Sequence, residues 1–216
     1  KIEKADGSPL TSRDVALSHT QKIHLLAVDE SLNDYHHIHP IADSLFDGVW
    51  HFSLTPVNSG KYSVFLDFIP VKSPRRVLLS SSFEVGGEII LPDERTESLV
   101  FSHKSLNFEL IKNSVDTSDQ QVELTLVAKD KGGDDVILHP VMGAFAHMVA
   151  FDNNLNGFAH LHPLSEDLPS SKQTTYKGPL TFGFSPPGRG VYRLWAQVKT
   201  NLDKEIFIPF DLEIGS

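Results

Sequence analysis

The sequence predicts an all-β protein with two tandem immunoglobulin-like antiparallel β-sandwich domains that arose by internal duplication. One observation is a repeat, because residues 23–40 match residues 146–163 without a gap and His24 aligns with His147, 123 residues later. A second is the run of short segments, rich in β-branched and aromatic residues, that Gly, Pro, Asn and Asp separate. Several short strands per roughly 100 residues are typical of a β-sandwich, and a small barrel is the alternative.

The repeat continues beyond the histidines. Residues 52–65 match residues 182–195 at a shift of 130, so the second copy carries seven extra residues within 164–181. In both copies a glycine turn precedes a strand that contains a tyrosine, Tyr62 or Tyr192. No sustained helical period interrupts this pattern, which favours strands throughout.

The repeat also predicts the domain boundaries. We expect one domain over residues 1–86, a linker over 87–103 and a second domain over 104–216. The second copy has strand-like segments ahead of its Gly132-Gly133 turn, and the first copy lacks a counterpart to the first of these strands. Either that strand was left out of the chain, or residues 99–101 fill the empty edge.

Composition narrows the possible partners. A net charge of -9 argues against nucleic acid and against anionic membranes, which both require clustered Lys and Arg. No apolar run approaches the roughly 18 residues of a spanning helix, so we expect no direct membrane insertion. The absence of cysteine excludes disulfides and thiolate metal sites. Because the chain starts at Lys1, we expect a processed product from which a signal peptide has been removed.

The repeated histidines fall on one face of a predicted hairpin. Pairing Val28 with Tyr35 puts Leu26 opposite His37, and in the second copy the equivalent pairing puts Val149 opposite His160. Since side chains alternate along a strand, three imidazoles per copy then share a face and can converge on one ion. The candidate metal ligands are His24, His37, His39, His147, His160 and His162.

Imidazole ligands without cysteine favour Cu(II) or Zn(II) as the bound ion. Metal affinity should then fall as the pH drops through roughly 6.5, the ordinary pKa of histidine. Asp29 and Asp152 lie at the far end of each hairpin and are interpreted as turn residues. The opposite assignment is structural, with buried neutral histidines that bond to the backbone. In that case the chain is an adhesion or assembly module that contacts another protein.

The remaining histidines are not conserved between the two copies of the repeat. His36 is replaced by Ala159 in the second copy and should point to the opposite face, and His51, His103 and His139 have no counterparts. His19 aligns with Met142, and both side chains could donate to copper.

The His-Leu-His-Pro motif at 160–163 and the strand at 190–198 carry a resemblance. They resemble a largely uncharacterised group of bacterial exported proteins, most clearly over residues 143–163 and 182–214. More loosely, the chain resembles the exported β-sandwich proteins of the CopC and YtkA-like kind, which are associated with copper handling. That resemblance implies an extracytoplasmic (periplasmic, secreted or tethered) location and metal binding at the six histidines. The Met-rich and N-terminal ligands of CopC-type sites are not evident here.

The sequence gives little indication of catalysis. No nucleophile elbow, phosphate-binding glycine loop or zinc-protease helix motif is present. Acidic residues such as Asp67 and Glu109 look scattered. We therefore predict a non-enzymatic metal-binding protein, with a metal-dependent enzyme as a weaker option because a three-histidine site with an open position can activate water.

Overall fold

The computed structural model describes residues 1–73, 75–89, 94–116, 121–164 and 174–215, and the chain divides into two compact units, Lys1–Asp93 and Glu94–Ser216. Each unit consists of antiparallel β-sheets, which confirms the predicted all-β class. Within those ranges the one helical element is a 3-10 turn at Ser12–Asp14. No helix of this part of the chain is long and apolar enough to cross a membrane.

The strands of unit one form a four-stranded sheet and a small ribbon. Their bounds are β1 Ile23–Asp29, β2 Tyr35–Ile38, β3 Ile41–Ala42, β4 Trp50–His51, β5 Gly60–Phe68 and β6 Val77–Val85. The sheet has the order β2-β1-β5-β6, and β3 pairs with β4 apart from it. All seven residues of β1 are buried, so this central strand forms the middle of the unit.

Unit two has two sheets. Its strands are β7 Val100–His103, β8 Leu106–Asp116, β9 Gln121–Asp130, β10 Leu138–His139, β11 Ala146–Asp152, β12 Phe158–Leu161, β13 Leu180–Phe184, β14 Gly190–Thr200 and β15 Ile206–Ile214. One sheet has the order β12-β11-β14, with β14 also pairing with β15 and β10, and the other has the order β13-β9-β8-β7. Residues of both sheets share one buried core, as in a β-sandwich.

The strand order β2-β1-β5-β6 of unit one recurs in unit two as β12-β11-β14-β15. The register recurs as well, because His24 pairs with Asp67 in unit one and His147 pairs with Gln197 in unit two. His147 is 123 residues later than His24, and Gln197 is 130 residues later than Asp67, in agreement with the two shifts of the repeat. The duplication and the immunoglobulin-like topology stay predictions, and this shared arrangement supports the first of them.

Part of the predicted linker over residues 87–103 is wrong. Val100–His103 forms β7, which pairs with β8 because Leu99 and Phe101 pack against the core of unit two. The suggestion that residues 99–101 fill the edge of unit one is wrong for the same reason. The segment proposed to hold the seven extra residues of the second copy lies partly outside the described residues, which omit 165–173.

Both hairpin loops are closed by their first aspartate. Asp29 Oδ1 accepts hydrogen bonds from the amides of Asn33 and Asp34, at 2.9 and 2.8 Å. Asp152 Oδ1 accepts them from two amides of its own loop, at 3.0 and 3.1 Å. The prediction that these two aspartates are turn residues is confirmed, and their bonds fix the hairpin register on which the histidine positions depend.

Candidate metal centres

Strand β1 and the end of β2 bring the three histidines of unit one together. The observed register pairs Val28 with Tyr35 and Leu26 with His37, as predicted. His24 and His37 therefore project from the same face, and His39 follows directly after β2. The ring centroids lie 5.2 Å apart for His24 and His37, and 5.0 Å apart for each of the two pairs that include His39.

Strands β11 and β12 build the same arrangement in unit two. Val149 pairs with His160, again as predicted. The ring centroids are 5.6 Å apart for His147 and His160, 4.9 Å for His147 and His162, and 4.6 Å for His160 and His162. Both hairpins thus present a compact cluster of three imidazoles.

Each cluster could hold a metal ion. In both, one nitrogen from each ring lies within 4.8 Å of the chosen nitrogens of the other two. His24 Nδ1 and His37 Nε2 are 3.0 Å apart. Two imidazole nitrogens bound at about 2.0–2.1 Å to one tetrahedral ion are separated by roughly 3.3 Å. The His24 and His37 rings therefore need only small movements to share an ion.

A backbone carbonyl orients one ring in each cluster. His24 Nε2 lies 3.0 Å from the Ser18 carbonyl oxygen, and His147 Nε2 lies 2.9 Å from the carbonyl oxygen of Val141. A carbonyl only accepts, so Nε2 must carry the proton in both rings. Nδ1 then carries the lone pair, and in unit one this atom lies 3.0 Å from His37 Nε2. This is the outer support that metal-bound histidines commonly have.

The carbonyls come from equivalent tight turns. In unit one the turn places His19 at a φ of 48° and Thr20 at a φ of 70°. In unit two Met142 has a φ of 50° and Gly143 a φ of 82°. Two successive residues with positive φ make a two-residue hairpin turn, which fixes the direction of the preceding carbonyl.

Burial favours the neutral form of two of the unit-one ligands, His24 and His39. His24 is 1% exposed, and desolvation lowers its pKa below the ordinary histidine value. Burial, followed by the nearby His24, lowers the pKa of His39 to about 4. The His39 Nε2 atom is buried and has no hydrogen-bond partner among the described residues. A neutral imidazole with an unused nitrogen is the form that binds a metal.

The other histidines lie outside the two clusters. His36 points away from the triad and contacts Asp34 at 2.9 Å. His51 and His103 contact Asp43 and Asp203, while His139 pairs with Asn201. The ring centroid of His19 lies 6.3 Å from that of His24.

Sequence reasoning missed Asp67, which it treated as one of several scattered acidic residues. Asp67 is 1% exposed and lies directly opposite His24 in the neighbouring strand, β5. Its Oδ1 atom is 3.1 Å from Arg76 Nε. Gln197 has the equivalent position in unit two, where its Nε2 atom donates to Glu205 at 3.1 Å. The repeat could have indicated this position, because Asp67 aligns with Gln197 at the shift of 130 and the two residues differ in charge.

The fold and these clusters define a class of protein, an all-β protein with two partly buried three-histidine groups that could each hold a metal ion. More particularly, the chain belongs to the family described as a domain of unknown function, DUF8832, whose family model matches residues 103–215. That match covers the strands of unit two from its second strand onward, including its triad. No curated protein matches the chain.

Proposed function

We propose that this chain is a non-enzymatic metal-binding protein that acts outside the cytoplasm, with one three-histidine site in each unit. The observation that carries the proposal is the convergence of three imidazoles within 4.8 Å in both units, His24, His37 and His39 in one and His147, His160 and His162 in the other. The carbonyl behind His24 and His147 supports it, because each fixes the tautomer that a ligand needs.

The donor set favours Cu(II) or Zn(II) as the ion. All three donors are imidazole nitrogens, the ligands that suit zinc and copper, and the chain has no cysteine that would favour a thiolate site. Three protein ligands leave a position for water or for a further side chain. The extracytoplasmic location rests on the resemblance to exported bacterial proteins alone.

The experiment is equilibrium dialysis of the chain against Zn(II) and, separately, Cu(II) at micromolar concentrations. Two ions per chain are expected, one for each unit. His37→Ala and His160→Ala should each remove one ion and leave the other, and the exposed His51→Ala should remove none. Uptake below one ion per chain would refute the proposal.

A second candidate function is an adhesion or assembly module in which the histidines are structural. It draws on the burial of His24 and His147 and on their backbone hydrogen bonds. The tyrosines of the two glycine-turn hairpins do not add to it, because Tyr62 is fully buried and Tyr192 is 5% exposed. This candidate predicts an unchanged ion count in every histidine variant.

A further inference from the structure

The two triads share their geometry but differ in the residue beside them. In unit one the side chain opposite His24 is the carboxylate of Asp67, and in unit two the side chain opposite His147 is the neutral amide of Gln197. Directly opposed residues on neighbouring strands project from the same face of a sheet. Asp67 and Gln197 therefore flank the two clusters in the same way and differ by one charge.

We propose that Asp67 makes the unit-one triad the tighter of the two sites for a divalent cation, so that zinc fills unit one before unit two. This inference rests on the proposed metal-binding function. Asp67 would act through the ligand His24 as a positioning and electrostatic residue, without being counted among the three ligands.

Asp67 forms an ion pair with Arg76, which favours its ionised form. Burial raises the pKa of Asp67, and Arg76 Nε, 3.1 Å from Asp67 Oδ1, opposes this shift because it favours the ionised carboxylate. The Asp67 side chain is 2% exposed, whereas the Arg76 side chain is 38% exposed. Water therefore screens the positive charge much more than the negative one.

The negative charge of the pair lies closer to the ligand. Asp67 is the partner of His24 in the register of β1 and β5 and is buried, whereas the Arg76 side chain is 38% exposed. A buried carboxylate beside the ligand favours a cation at the triad.

Unit two has no buried charge at the matching position. Gln197 is 3% exposed and neutral, and its partner Glu205 is exposed to solvent. Ile206 occupies the position that aligns with Arg76 at the shift of 130. A screened surface carboxylate contributes little to a buried cation compared with a buried one next to the ligand.

The test measures Zn(II) affinity by competition with a chromogenic chelator in two single-site backgrounds. His160→Ala leaves the unit-one site, and His37→Ala leaves the unit-two site. Asp67→Asn should weaken zinc binding in the first background by about 10-fold, in the range that outer-shell partners of metal ligands commonly contribute. In the second background Asp67→Asn should leave the zinc affinity unchanged. That background therefore serves as the control for the first.

Arg76→Gln should change the zinc affinity of the unit-one site in the opposite direction to Asp67→Asn. Because it removes the opposing positive charge, and a bound zinc ion itself favours the ionised Asp67 carboxylate, zinc should bind the unit-one site more tightly, by a smaller factor. A purely structural ion pair would make both substitutions weaken binding, and that result, or equal affinities at the two sites, would overturn the inference. Arg76→Gln keeps the test valid if thermal melting shows that Asp67→Asn does not fold. No zinc uptake in either background would instead overturn the proposed function, and the inference with it.

Discussion

Acid should destabilise metal-free unit one through His39. The ordinary pKa of this histidine is 6.5, and burial together with His24 lowers it to about 4 in the folded chain. In the window between these values the unfolded chain binds a proton that the folded chain does not. Stability is therefore present above pH 6.5 and is lost as the pH falls towards the folded value.

The two pKa values set the size of the effect. Proton linkage between them gives a loss of about 2 kcal/mol when the pH falls from about 7 to about 5. Desolvation also lowers the pKa of His24, which adds to the loss in the same direction. A change of this size is a large fraction of the stability of an ordinary domain.

The assay is urea denaturation in the presence of a chelator, followed by the fluorescence of Trp50. Each unit contains one tryptophan, so a Trp195→Phe background lets Trp50 report unit one alone. His39→Leu should flatten the dependence of unfolding free energy on pH, whereas His51→Leu, at an exposed site, should not. Parallel pH profiles for the parent chain and His39→Leu would refute the reasoning.

Three further outcomes are expected. Tyr62→Phe should destabilise unit one by about 1–3 kcal/mol, because the Tyr62 hydroxyl donates to the buried carboxylate of Asp34. Tyr192→Phe loses only a hydrogen bond to a backbone carbonyl and should destabilise unit two by about 1 kcal/mol. Urea denaturation measures both changes in unfolding free energy. His24→Ala should destabilise metal-free unit one by about 1–3 kcal/mol, measured in the same way, because the Ser18 carbonyl loses its donor. Zinc should stay bound to unit one below the ordinary histidine pKa of 6.5, since burial lowers the pKa of His24 and of His39, and a fluorescent zinc indicator read during acid titration would detect earlier release.

The histidine hairpin was the most predictable part of the molecule. Its register followed from alternation and from the loop between Asp29 and Asp34, and the observed pairs of Leu26 with His37 and Val149 with His160 agree. Such a register is well specified when one face of a strand is buried, because a slip of one residue would expose the whole apolar set.

The surroundings of the triads were less predictable because they depend on contacts that are distant in sequence. Asp67 lies 43 residues after His24 in the chain, and only the pairing of β1 with β5 places them side by side. The Ser18 carbonyl is a backbone group, so its direction cannot be predicted from the type of residue at position 18. The turn that orients this carbonyl depends on positive φ at His19 and Thr20, which is uncommon for residues other than glycine.

Burial of the triads also bears on the choice between a structural and a metal-binding role. The leading alternative assigned buried, neutral histidines to structure, and His24 does bond to a backbone carbonyl. That bond occupies only one of its two nitrogens, and the other faces His37 at 3.0 Å. The same burial lowers the pKa of His24 and of His39 and so favours their neutral, metal-binding form. A structural role for one nitrogen therefore prepares the other as a ligand, so stability effects alone cannot separate the two functions, and ion uptake is the deciding measurement.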